Sequence, residues 1–146
     1  MLEAQNILLG LHADSQERVI RAVVQRASEI GKINDVEKTI QAVLDREQES
    51  TTGFGKGVAI PHGKTDGVKE PVLMFAKLAS AVEWKSLDDQ PVDMLFMILV
   101  PDTAQSEHLQ ILAKLARRLM HQDFVDHLRD ANSAESITSY IQEQLA

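Results

Sequence analysis

V-D-M-L-F-M-I-L-V, residues 92–100, is the stretch on which the fold turns. Apart from Asp93 it is apolar throughout, so it lacks the alternation of a strand with one wet face. Closed by Pro101, it reads as a strand covered on both sides in the middle of an α/β sheet. Its unbroken apolar part, Met94 to Val100, is far too short to cross a bilayer. Met94 and Met97 fall inside it and are read as core.

Outward from this strand, the chain alternates between the two periodicities. Towards the N-terminus a turn around Asp88 and Asp89 leads back to a strand over Val72–Leu78. Before it, a short buried strand, Val58–Ile60, is ended by Pro61. Ile7–Leu11 forms an opening strand. Between these, Val19, Ile20, Val23, Val24, Ala27 and Ile30 recur at helical spacing, and Gly31 ends the run. Asp14 and Glu17 are spaced as a capping box at its start. A second helix begins after Asn34, buries Val36, Ile40, Val43 and Leu44, and fades near Glu47. Beyond Pro101 the chain is helical. His108–Met120 carries Leu109, Leu112, Ala113, Ala116 and Leu119 on one face. Two shorter helices follow, Phe124–Leu128 and Ile137–Leu145, the last capped by Asn132 or Ser133.

These elements make one α/β domain over residues 1–146, a length that supports a hydrophobic core without staples. The chain has no cysteine, which excludes disulfides, thiolate metal sites and a cysteine nucleophile. Absence of cysteine also fits a reducing cytoplasm, the expected location. A net charge of -7 argues against nonspecific nucleic-acid binding, which runs on clustered Lys and Arg. The opening M-L-E-A-Q-N lacks the features of a signal peptide. No membrane insertion is expected.

The chemistry concentrates in G-K-G-V-A-I-P-H-G-K-T-D-G, residues 55–67. Its Gly63-Lys64-Thr65 suggests a Walker A loop, but the glycine required at position 58 is Val58. V-A-I-P is strand-like, and Gly67 with Pro71 discourages the helix that should follow. The dinucleotide fingerprint fails too, because G-F-G-K-G precedes a strand instead of following one. The glycines read better as a setting for His62. Pro61 stiffens the approach to it and holds Ile60 extended. Neutral imidazole is a good nucleophile, and its reactive nitrogen is chosen by what the other one bonds. On the residues alone, His62 is either a reactive histidine or a strand cap with a local hydrogen bond.

The segment T-G-F-G-K-G-V-A-I-P-H-G, Thr52–Gly63, resembles the phosphorylation-site signature of enzyme IIA domains. The type is the fructose/mannitol type (type 2) of the bacterial phosphoenolpyruvate-dependent sugar phosphotransferase system. The resemblance extends upstream through L-D-R-E-Q-E-S-T-T-G. It continues downstream through D-D-Q-P-V-D-M-L-F-M-I-L-V-P and E-H-L-Q-I-L-A-K-L-A. It implies a mixed β-sheet flanked by helices on both faces, and neither metal nor organic cofactor. It implies that His62 takes a phosphoryl group from the phosphocarrier HPr and hands it to a cysteine of an enzyme IIB domain, serving a membrane enzyme IIC. A fructose-like sugar is the first expectation. The same resemblance covers nitrogen-type regulatory relatives, which act through protein contacts.

A phosphoryl group in flight needs oriented donors and a cation. The resemblance points to Arg46, otherwise a surface complement to a helix C-terminus, and to His108, otherwise a solvent-facing residue at a helix start. Glu107 is placed to orient His108. Thr52, Gly53, Gly55 and Gly57 are read as phosphate-binding, through a hydroxyl and backbone N–H groups. A metal-dependent hydrolase using His62 and His108 is a third class, but no HExxH or similar ligand spacing accompanies them. His12, His121 and His127 are read as surface or boundary residues. Lys114, Arg117, Arg118 and His121 form a solvated basic face. Trp84 is either a partner contact or a packing anchor.

Overall fold

Strand β6 (Val92–Val100) is the axis of the molecule, and every residue in it except Asp93 is buried. The structure, a computed structural model, describes residues 2–146, with the side chain of Glu107 outside that description. The other strands are β1 (Ile7–Leu11), β2 (Gly53–Gly55), β3 (Val58–Ala59), β4 (His62–Lys64) and β5 (Val72–Val82). The helices are α1 (Gln16–Glu29), α2 (Val36–Glu49), α3 (Glu107–Leu119), α4 (Gln122–Asp130) and α5 (Ala134–Leu145).

The sheet is mixed, in the order β1-β5-β6-β3-β2, with β4 also lying along β6. β5 runs antiparallel to β6, whereas β3 and β4 run parallel to it. Alternation along the strands divides the core in two. Leu95, Met97 and Leu99, with Met74 and Ala76, pack against Val19, Val23, Val24, Ile40 and Val43 of α1 and α2. Met94, Phe96, Ile98 and Val100 turn the other way, with Leu73 and Phe75, towards α3, α4 and α5. There Phe96 meets Phe75 with ring centroids 4.9 Å apart and Phe124 at 6.4 Å. The expected two-sided central strand and helix-flanked mixed sheet are what the structure contains.

The helix boundaries differ from the sequence reading in instructive ways. Ser15, not Asp14, caps α1 by accepting the Arg18 N–H, while Asp14 pairs with the Arg18 side chain at 2.9 Å. Asp35 caps α2 through the Lys38 N–H, and Ser133, one of the two candidates, caps α5 through the Ser136 N–H. α2 continues past Glu47 to Glu49. On α3 the inward face is Leu115 and Leu119, with Ile111 and Leu112 half-buried, whereas Leu109 is 55% exposed and Ala113 is also exposed. The apolar arc of this helix is wide, running from Ile111 through Leu115, Leu119 and Leu112 to Leu109 and Ala113, and the sequence reading placed its centre too near the Leu109 edge.

Candidate active site

His62 stands on a strand that Pro61 interrupts without breaking. Val58 lies opposite Met94 and Ala59 opposite Leu95; after the proline, His62 lies opposite Ile98 and Gly63 opposite Leu99. The offset is unchanged across the break. Pro61 has no N–H, but its carbonyl accepts the Ile98 N–H at 3.1 Å, which carries the pairing through. The expected end of the strand at Pro61 is therefore corrected: it resumes as β4 and fixes the backbone of His62 against the buried β6.

The imidazole Nδ1 lies 3.0 Å from the carbonyl oxygen of Ile60. A carbonyl can only accept, so Nδ1 carries the hydrogen and donates, leaving the lone pair of the neutral ring on Nε2. Burial holds the pKa of His62 below the ordinary imidazole value. The Ile60 carbonyl opposes that shift, the charges of Arg46 and His108 add to it, and Glu47 opposes it. The ring is thus kept neutral and nucleophilic at neutral pH. The local hydrogen bond of the strand-cap reading is present, and it leaves the ring in a tautomer with a free Nε2 lone pair, as the reactive reading requires.

Two other elements reach this imidazole. Gly63 lets α2 lie directly on β4: a Cβ there would sit 2.9 Å from Val43 Cγ2. The last turns of α2 then bring Arg46 and Glu47 within electrostatic reach of His62. Arg46 donates to the carbonyl of Ser50 at 2.9 Å, so it also closes the helix C-terminus as its alternative reading expected. From the opposite face, α3 contributes His108 in its first turn. Its Nδ1 is buried and meets no hydrogen-bonding partner among the described residues. Such an atom is costly unless a ligand satisfies it. The side chain of Glu107, expected to orient it, is outside the described residues.

The remaining sequence candidates separate. Gly55, Lys56 and Gly57 form the tip of the β2–β3 hairpin, with positive φ of 108°, 60° and 79°. The tip lies just before β3, and its last residue, Gly57, is roughly 16 Å of extended chain before His62. Gly57 is pressed against Arg129 and Asp93, which would lie 2.8 Å from an added Cβ, and the Gly55 position faces Asp88. These two glycines serve the turn, and the structure does not bring them to the histidine. The Gly53 N–H is taken by Thr51 Oγ1 at 3.0 Å. Thr52 is nearer the site, since its carbonyl accepts the Ile60 N–H at 3.0 Å, but its own N–H donates to Glu47 at 2.7 Å.

Glu47 is the residue that sequence reasoning missed. Its carboxylate also accepts from Thr52 Oγ1 and from the Trp84 indole N–H, the latter at 3.2 Å. Trp84 is 6% exposed and belongs to the α1–α2 core, so it is a packing anchor. The adjacent R-E pair at a helix end followed by S-T-T was the available signal, a carboxylate facing a run of hydroxyl donors. His12, His121 and His127 are exposed, the last stacked on Tyr140. Lys114, Arg117, Arg118 and His121 are exposed as expected of a solvated face. Among the described residues no cluster of three or more His, Asp or Glu is placed to hold a metal, and no helix is long and apolar enough to cross a membrane.

The family model for the phosphoenolpyruvate-dependent sugar phosphotransferase system, EIIA 2, matches residues 1–144. The chain belongs to the type 2 EIIA family. It is 40% identical over 129 residues to the PTS system fructose-specific EIIA component of Haloferax volcanii, covering 88% of this chain and 84% of that one. Its fold is similar to nitrogen regulatory protein IIA-Ntr from Neisseria meningitidis. There the TM-score is 0.83 and the identity 28%, covering 95% of this chain and 94% of the other. It is also similar to IIA mannitol of Escherichia coli, solved in complex with phosphorylated enzyme IIB mannitol. That match has a TM-score of 0.79 and 25% identity, covering 99% and 96% of the two chains. EIIA domains are components of a phosphotransferase, and this chain shares their fold along nearly its whole length. Fructose-type and nitrogen-type relatives both match, so membership leaves the choice between them open.

Proposed function

We propose that this chain is a phosphoryl carrier in which Nε2 of His62 accepts a phosphoryl group from phospho-HPr and passes it to the cysteine of an enzyme IIB domain. The observation that carries the proposal is the hydrogen bond from Nδ1 to the Ile60 carbonyl on a half-buried, neutral ring. The Nε2 lone pair forms the new N–P bond while the N–P bond of the donor breaks and its electron pair returns to the donor imidazole. The His62 ring gains positive character in that step, and the Ile60 carbonyl stabilises it through Nδ1–H. Delivery to IIB reverses the sequence: the thiolate attacks phosphorus and the electron pair of the N–P bond returns to Nε2.

Arg46 and the unpartnered Nδ1 of His108 supply charge and a donor for the phosphoryl oxygens, which carry most of the charge in a loose transition state. Thr52 and Gly53 support the site through the loop they hold. Transport of a fructose-like sugar, with a membrane enzyme IIC, is the proposed setting in the cytoplasm.

Incubation with phosphoenolpyruvate, enzyme I and HPr is expected to add one phosphoryl group that is labile in acid and stable in alkali. NMR of labelled histidine should place it on Nε2 of His62, and His62→Ala should abolish it without unfolding the chain. An acid-stable adduct, or none, would sink the reading. A second reading, a nitrogen-type regulator, is supported by the fold match to IIA-Ntr. Transfer onward to a IIB cysteine supports the carrier. Phosphorylation that changes binding to a protein partner, with no transfer to IIB, supports the regulator.

A further inference from the structure

A hydrogen-bonded path leads from α2 to the reactive ring. Glu47 holds the Thr52 N–H at 2.7 Å; the Thr52 carbonyl holds the Ile60 N–H at 3.0 Å; the Ile60 carbonyl holds His62 Nδ1–H at 3.0 Å. From these contacts we infer that Glu47 is a positioning residue, which fixes the tautomer and orientation of His62 through the backbone of Thr52 and Ile60. The inference rests on His62 being the phosphoryl acceptor.

Three features separate this role from ordinary helix-end packing. Glu47 forms no ion pair among the described residues, although Arg46 is its neighbour and turns instead to Ser50. Its carboxylate is given over to neutral donors: the Thr52 N–H, the Thr51 and Thr52 hydroxyls and the Trp84 indole. Those donors hold both sides of the acid, so it is not free to swing. Both peptides flanking Thr52 are tied down, one to α2 and one to the strand that carries His62. If the Thr52 segment shifts, the Ala59–Ile60 peptide loses the bond that anchors it, and residue Ile60 is free to rotate ahead of Pro61. The carbonyl then turns from Nδ1, and the two imidazole tautomers become closer in energy. Nε2 loses its lone pair in the tautomer that carries hydrogen there.

Reach and charge can be tested apart. Glu47→Gln keeps the length of the side chain: its carbonyl oxygen can accept from Thr52 N–H and Trp84, and its amide can donate to the Thr52 hydroxyl. Glu47→Asp keeps the charge but is one methylene too short. Histidine ¹⁵N shifts, measured without any phosphate, report the His62 tautomer in each variant, and the indole N–H resonance of Trp84 reports the bond to residue 47. Acceptance rates from phospho-HPr are measured alongside. The inference expects Glu47→Gln to keep the Nδ1–H tautomer and a rate close to wild type. It expects Glu47→Asp to show mixed tautomers and a rate down about tenfold or more, as small displacements of a reacting group allow. Any other ordering overturns it: Asp holding while Gln falls would mean that the charge acts directly, and both variants keeping the tautomer would mean a packing role only. The tautomer measurement stands whether or not wild-type protein is phosphorylated, so failure of the carrier reading and failure of this inference are read separately.

Discussion

His62 is held in a state that costs the fold something in acid. Burial lowers its pKa, with Arg46 and His108 acting in the same direction. In the unfolded chain the ring protonates at about pH 6.5. Between that value and the lower folded one, the unfolded state binds more protons, so stability rises with pH across the window. Stability is complete above the unfolded pKa and declines as pH falls through the window towards the folded pKa. Denaturant titrations across this range should therefore show a steeper acid loss for wild type than for His62→Gln, which has no proton to bind. Equal slopes would mean that the ring is not held neutral. The same shift predicts that acceptance from phospho-HPr keeps its rate to lower pH than a free imidazole would allow. At this scale the sequence marked the histidine but not its reactive nitrogen. The tautomer follows from where the Ile60 carbonyl points, and that direction is set by pairing partners distant in sequence: Thr52 on one side and β6 on the other. Glu47 was hidden for a related reason, because its role arises only when the S-T-T loop folds back over the end of its own helix.

Between elements, the close approach of α2 to β4 joins the strand bearing His62 to the helix bearing Arg46 and Glu47. Gly63 makes this approach possible, with Val43 Cγ2 where a Cβ would need to be. Gly63→Ala should force α2 outward, lowering stability by about 1–3 kcal/mol, the usual cost of overpacking. It should reduce phosphoryl acceptance in the molecules that remain folded, since Arg46 and Glu47 move with the helix. Val43→Ala removes the clashing methyl, so the pair should be less destabilised than the sum of the single changes. A double-mutant cycle on denaturation free energies measures that coupling. Additive values would show that the contact does not govern the packing. Gly57→Ala makes the contrast, because its strain lies at the hairpin tip against Arg129 and Asp93. It should lower stability while leaving acceptance by folded protein near wild type. The sequence made the glycines conspicuous as a group but could not separate them. Gly57 answers to a positive φ and Gly63 to a neighbouring helix, and only the second requirement reaches the site. β2 and β4 were illegible for a similar reason: three-residue strands containing glycine have no periodicity of their own and exist because β3 and β6 pair with them.

For the whole molecule, the run at residues 92–100 was informative because burial on both faces leaves a pattern no neighbour can disguise. The same two-sided burial makes β6 a shared wall between two cores, one beneath α1 and α2 and the other beneath α3, α4 and α5. Neither core can persist if β6 leaves the sheet, so the chain should unfold as one cooperative unit. Its composition offers a direct test, with one tryptophan and one tyrosine. Trp84 lies in the α1–α2 core, and Tyr140 packs on the opposite core, its ring centroid 5.7 Å from that of Phe124. Fluorescence of Trp84 and the ring-proton NMR resonances of Tyr140 therefore report the two faces of the sheet independently. Urea transitions followed by the two signals should coincide. Phe96→Ala sharpens the test, because Phe96 faces only the tyrosine side, between Phe75 and Phe124. Removing a buried phenylalanine ring typically costs about 3–5 kcal/mol. If β6 couples the cores, the Trp84 transition should move to lower urea by the same amount as the Tyr140 transition, although the deleted ring never touches the tryptophan face. A Tyr140 transition that shifts alone would mean that the two layers melt separately and that the central strand does not bind them into one unit.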